Sequence, residues 1–440
     1  MSALLADLYE FTMLQSYLER NMTKSAVFEF FVRKLPSNRN FLVAAGLDEA
    51  LDFLEEMAFQ EEELDFLSKH FPSPVIDYLE TFRFDGEVHA MPEGSIFFQN
   101  EPILRITAPL PQAQLVESRI MNLLHFETLI ASKAARSVLA APDRRLVDFG
   151  LRRAHGAEAG LLAARASYLA GFSGTATVLA GMKFGIPIFG TMAHSFVEAH
   201  EQEMDAFRNF ARSHPGSTLL IDTFDTELAA EKVVALAHEG LRIGGVRLDS
   251  GDLAMHARKV RKILDEGGLR DTVIFASGNL DEYSVKRLLD CPIDGFGIGT
   301  ALVTSGDHPM LDCAYKLQEY DGRPCRKRSE GKATWPGRKQ VYRLRDSQGR
   351  LKKDTISLEC DDLEGERLIG PVMREGKRLH PRAQIAALRE RTMKNYASLP
   401  ESLRTIDAEN IYPVEISMLL SDLSKRVDRG EIHPLASISA

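Results

Sequence analysis

Short apolar segments alternate with amphipathic helical segments through the middle of this sequence. Seven segments with the composition of β-strands recur about every 20–30 residues, which is the length of a βα unit. Strands joined by helices run parallel in one sheet, so we predict an incomplete parallel α/β barrel, with a doubly wound open sheet as the alternative. The predicted strands are residues 145–150, 167–172, 186–191, 218–223, 244–250, 272–278 and 294–300.

The sequence on either side of this region has a different pattern. Residues 1–135 mix helical and strand-like segments, and an alternating pattern around the turn residues D-S-Q-G predicts a hairpin within 311–375. We therefore predict a second, β-containing domain that is built from 1–135 and 311–375. The α/β barrel occupies 136–310, and a helical tail follows at 376–440.

Composition limits the classes of partner. The 440 residues include 63 acidic and 54 basic ones, and the net charge of −9 disfavours nucleic acid as a partner. The four cysteines form no C-x-x-C pair, so we expect neither a zinc site nor a disulfide framework, and a reducing, cytoplasmic location fits best. The first residues lack the pattern of a signal peptide and no apolar stretch has bilayer-spanning length, so we expect no membrane partner.

One histidine stands where a predicted strand gives way to a helix. His194 follows Gly190 and Thr191 in the segment IPIFGTMAHSFVEAH. In parallel α/β folds the carboxyl ends of the strands carry the chemistry. From position alone, a functional role and a packing or capping role are both open for this histidine.

Glycines and an arginine at other strand ends predict an anion site. GFGIGT and ASGN occupy the last two strand ends, where α/β barrels commonly bind phosphate through backbone N–H groups. Simple tight turns are the alternative for these glycines. Arg247 lies inside an otherwise apolar strand, where a guanidinium needs a partner, and a substrate carboxylate is a suitable one.

Four aspartates complete the polar residues at the strand ends. Asp222 and Asp249 are candidates for holding Mg²⁺ or orienting a histidine, whereas Asp225 and Asp252 are expected to cap helices. Together these groups predict a site for a phosphorylated, anionic substrate with magnesium. A sugar-phosphate lyase or isomerase on the same barrel and a non-catalytic phosphate sensor are the alternatives from other classes.

Six motifs occur in order along the chain, from about residue 4 to 300: LLADLYEFTM, DFGLRRAHG, GTMAHSFV, GVRLDSGD, ASGNLDE and GIGT. They closely resemble the motifs of the nicotinate phosphoribosyltransferases. The resemblance extends into the hairpin beyond 310 and implies an irregular α/β barrel packed on an α/β-sandwich domain, in a homodimer with shared active sites. It also implies that nicotinate and phosphoribosyl pyrophosphate are converted to nicotinate mononucleotide and pyrophosphate, with ATP hydrolysis and Mg²⁺, in NAD salvage.

The resemblance implies roles for individual residues. His194 matches the histidine that ATP phosphorylates, and Asp222 matches the acid that orients it. Arg247 and Thr191 match the residues that hold the nicotinate carboxylate, and Tyr9 of the other subunit matches the aromatic residue that stacks on the pyridine ring. The remaining matches are Arg152 near the pyrophosphate, Asp249 near the ribose and the metal, and Gly278, Gly299 and Thr300 at the 5′-phosphate.

One position bears on the choice of pyridine substrate. The related nicotinamide enzymes resemble this chain in GFSGTATVLAG but carry an aspartate where Ala176 stands, which accepts the amide N–H. An alanine offers no acceptor and does not repel a carboxylate. Nicotinate is therefore expected, with nicotinamide or another pyridine as the alternative.

Overall fold

The structure is a computed structural model that describes residues 2–431. The chain divides into two compact units. One contains the residues up to Leu129 together with those from Met310 onward, and the other contains Ile130–Pro309. The first unit is therefore built from both ends of the chain. Within residues 2–431, no helix has the combination of length and apolar character that crossing a bilayer requires.

Helices and strands follow one another along the described chain in three segments. The first segment contains α1 (Leu8–Glu19), β1 (Ser25–Val32), β2 (Leu42–Val43), α2 (Leu47–Glu56), α3 (Glu61–Ser68), α4 (Ser73–Glu80), β3 (Glu87–Ala90), β4 (Ile96–Phe97), β5 (Pro102–Pro109), α5 (Leu110–Leu115) and α6 (Glu117–Ala140). The second contains β6 (Arg145–Asp148), α7 (Ala157–Leu169), β7 (Gly174–Thr175), α8 (Val178–Phe184), α9 (His194–Glu198), α10 (Glu203–Ser213), β8 (Thr218–Leu220), α11 (Thr226–His238), β9 (Gly245–Leu248), α12 (Leu253–Glu266), β10 (Val273–Ala276), α13 (Glu282–Arg287), β11 (Gly295–Ile298) and α14 (Thr300–Thr304). The third contains β12 (Cys313–Tyr320), β13 (Arg323–Pro324), β14 (Lys339–Arg345), β15 (Leu351–Leu358), β16 (Glu366–Arg367), β17 (Gly370–Arg374), β18 (Lys377–Arg378), α15 (Ile385–Ala397), α16 (Glu401–Arg404), β19 (Val414–Ile416) and α17 (Met418–Asp428).

The sheet of the Ile130–Pro309 unit is an incomplete barrel. Its six parallel strands have the spatial order β7-β6-β11-β10-β9-β8. Followed around a ring, this is the order along the chain, with one opening between β7 and β8. A doubly wound sheet would instead reverse its strand order at a switch point. The prediction of an irregular, incomplete parallel barrel is therefore confirmed, and five of the seven predicted strands lie in it as β6, β8, β9, β10 and β11.

The predicted strand at 167–172 is wrong. Residues 167–169 form the end of α7, because an alanine-rich sequence with helical periodicity favours a helix over a strand, and 170–172 lie just beyond the helix. Gly171, with φ of +120°, follows the helix, and the short strand β7 begins just beyond it.

The predicted strand at 186–191 is reduced to a single bridge. Ile188 pairs with Thr175 of β7, but the residues around Ile188 form no β-strand. Pro187 has no N–H to donate, which limits strand pairing at this point. The barrel opening therefore begins directly after this bridge.

The unit built from both chain ends contains three sheets. An antiparallel sheet has the order β13-β12-β1-β5-β3-β17-β18, a second sheet has the order β16-β14-β15-β19, and β2 pairs with β4. The predicted hairpin is confirmed as β14 and β15. The segment predicted as a helical tail also contributes β19, which pairs in parallel with β15. The end of that tail, 432–440, lies outside the described residues.

Buried charges link the two larger sheets of this unit. The Lys339 ammonium on β14 lies 2.8 Å from a carboxylate oxygen of Glu29 on β1. Arg105 on β5 donates to the Lys339 carbonyl oxygen at 2.9 Å. All three side chains are buried, so each charge depends on its partners for compensation.

Candidate active site

An arginine with an unsatisfied donor lies on the barrel sheet. Arg247 is the third residue of β9, and its Nη2 makes only a long contact of 3.5 Å to the Met192 carbonyl oxygen. Its Nε is buried and has no hydrogen-bond partner among the described residues. Burial lowers the pKa of this guanidinium, the charges of Asp249 and Asp222 raise it, and that of Arg152 lowers it. These four charged groups therefore act on one region of the sheet.

An aromatic ring faces this arginine across a strand lined with glycine. The Phe149 ring, directly after β6, has its centre 6.0 Å from Arg247 Cζ and 5.9 Å from the centre of the Phe275 ring. Between β6 and β10 lies β11. A Cβ on Gly297 would lie 2.5 Å from the Phe149 ring, and one on Gly295 would lie 2.9 Å from the Phe275 ring. These two glycines therefore leave the space that the rings occupy.

His194 is the first residue of α9, in the segment that connects β7 to β8. It is not the cap residue of this helix, which is Ala193, and its side chain is 39% exposed. Its Nδ1 lies 3.1 Å from the hydroxyl oxygen of Thr223, and its Nε2 lies 3.8 Å from a carboxylate oxygen of Asp249.

The carboxylate nearest to His194 in the described chain is that of Asp249, not that of Asp222. Asp222 Oδ2 accepts hydrogen bonds from the Asp249 N–H at 2.8 Å and from the Ser250 hydroxyl at 2.6 Å, and its Oδ1 is buried without a partner among residues 2–431. Asp249 Oδ1 accepts from the Ser277 hydroxyl. Asp222 thus binds the main chain of Asp249, whose carboxylate is the one near His194, and the part of Asp222 in orienting the histidine stays a prediction.

The other two aspartates cap helices, as the sequence predicted. Asp225 accepts from the Leu228 N–H at 2.9 Å at the start of α11. Asp252 accepts from the Met255 N–H at 3.0 Å at the start of α12. Both carboxylates are thereby committed to the backbone.

The glycines of the predicted phosphate turns have different surroundings. Gly295 and Gly297 lie within β11, so only Gly299 of GFGIGT stands at a strand end, where it precedes α14 and Thr300. Gly278 has φ of +100°, and a Cβ there would lie 2.0 Å from the Asp249 carbonyl oxygen, so this position requires glycine. Binding of phosphate by Gly278, Gly299 and Thr300 stays a prediction.

Three further predicted site residues are accessible to different extents. Arg152 lies in a 3₁₀ turn after β6 and is exposed. Thr191 is half-buried, and its hydroxyl donates to the Met192 carbonyl oxygen at 3.1 Å. Tyr9 lies on α1 in the other unit and is 42% exposed. Its stacking on the pyridine ring stays a prediction.

The sequence analysis missed Asp148 and Phe149. Asp148 ends β6, is fully buried, and accepts from the Gly150 N–H at 2.8 Å and the Thr175 hydroxyl at 2.7 Å. Burial raises its pKa to about 6, although both hydrogen bonds oppose the shift. The sequence did contain a signal for Asp148, because an acid at the end of an apolar strand is the same pattern that pointed to Asp222. Nothing in the local sequence shows which ring faces Arg247.

Family models cover most of the chain. The N-terminal domain of nicotinate phosphoribosyltransferase matches residues 4–125, the nicotinate phosphoribosyltransferase family matches 144–323, and the C-terminal domain matches 358–424. The chain belongs to the nicotinate phosphoribosyltransferase family. A nicotinate phosphoribosyltransferase of Mycobacterium tuberculosis, pncB2, is 44% identical over 99% of this chain and 96% of its own. The enzyme of that name from Bacillus subtilis is 36% identical, over 93% of this chain and 92% of its own.

Solved structures agree with this membership of the nicotinate phosphoribosyltransferase family. The crystal structure of human nicotinic acid phosphoribosyltransferase matches with a TM-score of 0.85 and 27% identity, covering 96% of this chain and 99% of the human one. That of nicotinate-nucleotide pyrophosphorylase from Pyrococcus furiosus matches with a TM-score of 0.74 and 26% identity, covering 89% and 94%.

Two groups of acids in this member of the nicotinate phosphoribosyltransferase family bear on the binding of Mg²⁺. In the described chain, three carboxylates come together only in the other unit, where Glu49, Glu93 and Glu127 are buried. At the barrel strand ends, Asp249 and the unpartnered oxygen of Asp222 offer carboxylate oxygens. One or two carboxylates with water and substrate phosphates suit Mg²⁺, so these residues fit the ion, whose presence stays a prediction.

The buried carboxyl of Asp148 predicts a pH-dependent stability. Its pKa of about 6 in the folded chain lies above the ordinary value of 3.8, so the folded state binds this proton more tightly than the unfolded state. The resulting stabilisation is complete below about pH 4 and is lost as pH rises through 6, by about 3 kcal/mol in all. The free energy of unfolding of the parent relative to Asp148→Asn, measured by urea titration from pH 5 to 7.5, should fall as pH rises. A difference that is independent of pH would contradict this.

Proposed function

We propose that this chain transfers the phosphoribosyl group of phosphoribosyl pyrophosphate to nicotinate in NAD salvage. The observation that carries the proposal is Arg247, whose buried Nε lacks a partner in the described chain while its Cζ lies 6.0 Å from the centre of the Phe149 ring. A planar pyridine carboxylate suits both groups, because a guanidinium binds carboxylate through parallel hydrogen bonds and an aromatic ring stacks on another. The names of the relatives support the same substrate.

The phosphoribosyl donor is proposed to bind along the neighbouring strand ends. Gly278 and Gly299 follow the adjacent strands β10 and β11, and with Thr300 they would bind the 5′-phosphate. The exposed guanidinium of Arg152 would bind the pyrophosphate. Asp249 would hold the ribose and, with Asp222, a Mg²⁺ ion that neutralises charge on the pyrophosphate.

The proposed reaction forms one bond and breaks one. The pyridine nitrogen forms a bond to C1 of the ribose as the C1–O bond breaks, and the electron pair of that bond leaves with pyrophosphate. The sugar carries positive charge between these events, so fixed negative charge at Asp249 and Asp222 stabilises it. Arg247 and Thr191 hold the ring in line for attack, which removes much of the entropic barrier.

ATP is proposed to phosphorylate His194, which couples hydrolysis to the transfer. The imidazole is 39% exposed, and the Asp249 carboxylate 3.8 Å away suits the charged form that arises when it reacts. The family resemblance further supports a homodimer in which Tyr9 of one subunit stacks on the pyridine bound by the other. The same resemblance, with the acidic composition, supports a cytoplasmic enzyme that binds no nucleic acid.

The substrate assignment predicts a strong preference for nicotinate over nicotinamide. Arg247 supplies positive charge for a carboxylate, and the exposed Ala176 supplies no acceptor for an amide. Purified protein would be incubated with phosphoribosyl pyrophosphate and each pyridine, with and without ATP, and the nucleotide products separated. Nicotinate mononucleotide should dominate, with ATP raising its yield. Equal rates with both pyridines would contradict the assignment.

Arg247→Lys should lose activity because an ammonium cannot make the forked contact to a carboxylate. We expect a fall in kcat/KM for nicotinate equivalent to about 1.5–3 kcal/mol, the range for hydrogen bonds to charged groups. Arg242→Lys, at an exposed position before β9, is the matched control and should change little. Activity of Arg247→Lys within about twofold of the parent would assign this arginine to the fold instead.

His194→Asn should remove phosphorylation but not all transfer. The parent incubated with γ-labelled ATP should carry label that survives base and is lost in acid, as a phosphoimidazole does. His194→Asn should carry no label and show no nicotinate-stimulated ATP hydrolysis, yet keep slow ATP-independent transfer, because the carboxylate and phosphate contacts remain. His200→Asn, six residues further along the chain, is the control and should be labelled normally. Label that maps to another residue of the parent would refute the assignment.

A further inference from the structure

The carboxylate of Asp148 joins two strand ends that flank the proposed pyridine site. Its Oδ1 accepts from the Gly150 N–H at 2.8 Å, and its Oδ2 accepts from the Thr175 hydroxyl at 2.7 Å. Gly150 follows β6, and Thr175 ends β7, the neighbouring strand. Because Asp148 is fully buried, it cannot contact a bound substrate and must act through these partners.

On the β7 side, the hydrogen bonds of Asp148 extend to the main chain of Ala176 and, through the Thr175 hydroxyl, to that of Thr177. The Thr175 hydroxyl oxygen accepts from the Thr177 N–H at 3.0 Å while it donates to Asp148. The Ala176 N–H donates to the Asp148 carbonyl oxygen at 2.8 Å. Asp148 therefore binds the Ala176 N–H directly and fixes the Thr177 N–H through the Thr175 hydroxyl.

On the β6 side, the hydrogen bond from Gly150 to Asp148 fixes the segment that carries Phe149 and Arg152. A Cβ on Gly150 would lie 2.0 Å from a Val303 methyl group and 2.9 Å from Asp148 Oδ1, so the chain passes Asp148 very closely here. Phe149 lies between the two residues that this hydrogen bond joins, and its ring faces Arg247.

We propose that Asp148 is a positioning residue that clamps the ends of β6 and β7 together and thereby sets the separation of Phe149 from Ala176 in the pyridine pocket. This clamp rests on the proposed function for its effect on nicotinate. Its effect on the backbone does not depend on any substrate. A purely structural carboxylate would affect stability without affecting one substrate selectively.

The chain offers closely matched variants to test the clamp. Thr175→Val removes the hydroxyl that binds Asp148, and Thr175→Ser restores it. Thr177→Val is the control, since it makes the same chemical change two residues away, where the buried hydroxyl oxygen has no hydrogen-bond partner among the described residues. Asp148→Asn is a second test of the clamp, because an amide cannot accept from both donors.

Two measurements are made on each variant. Hydrogen–deuterium exchange of the protein without substrates should quicken in both 149–153 and 175–178 for Thr175→Val and Asp148→Asn, and should match the parent for Thr175→Ser and Thr177→Val. Steady-state kinetics should show the KM for nicotinate raised about tenfold in the first pair, since displacing a bound group slightly is enough for such a loss. Their kcat and their KM for phosphoribosyl pyrophosphate should change less.

The outcomes separate the clamp from the proposed function. Exchange that quickens only near the substituted residue, or equally in Thr177→Val, would overturn the clamp whatever the activity. A parent that does not use nicotinate would refute the proposed function, while the exchange measurement would still decide the clamp. If Thr175→Val fails to fold, Asp148→Asn and the Thr175→Ser comparison provide the same test.

Discussion

Glycine on the inner face of β11 is the constraint on which the rest of the site depends. Side chains alternate between the two faces of a strand, so Gly295 and Gly297 leave one face of β11 without side chains, while Phe296 and Ile298 are buried on the other. The strands that carry Arg247 and Phe149 are separated by β10 and β11, yet the guanidinium and the ring lie 6.0 Å apart. Any side chain on the inner face of β11 would occupy that space. A positive charge and an aromatic face can therefore meet over this sheet because one strand between them contributes only backbone.

The opening of the barrel and His194 belong to the same connection, which runs from β7 to β8. The strands follow their chain order around the ring, and each pairs with the next except β7 and β8. A further strand in that gap would supply pairing for both edges, but Pro187 limits pairing and the chain forms a single bridge at Ile188 before it turns into α9. The histidine at the start of α9 is 39% exposed beside Asp249.

Signals that extend over only a few residues of the sequence predicted those parts of the fold that depend on neighbouring residues. Five strands, two helix caps, the hairpin and the arginine within β9 were all predictable, because apolar periodicity, capping residues and turn residues act over a few positions. The error at 167–172 arose because the first residues of this short apolar run continue the alanine-rich helix that precedes them. The contacts of His194 could not be predicted, since they depend on the distances between strand ends. Gly295 and Gly297 were interpreted as part of a phosphate turn, whereas they leave space for the Phe149 and Phe275 rings. That role depends on the register between strands, which the local sequence does not show.

Three aspartates share one sequence pattern, an acid at or after the end of an apolar parallel strand, and the fold gives them different chemistry. Asp148 ends β6 and is fully buried, and both of its oxygens accept hydrogen bonds from neighbouring donors. Asp222 binds donors with one oxygen only, and Asp249 keeps one oxygen bound to Ser277 and directs the other toward His194. A carboxylate with both oxygens committed can fix the backbone, whereas one with an uncommitted oxygen can still bind a cation or stabilise a developing positive charge. Under the proposed function, the same residue type at equivalent strand ends therefore divides into positioning and chemical roles according to how many hydrogen-bond donors its neighbours provide, and that number is a property of the fold.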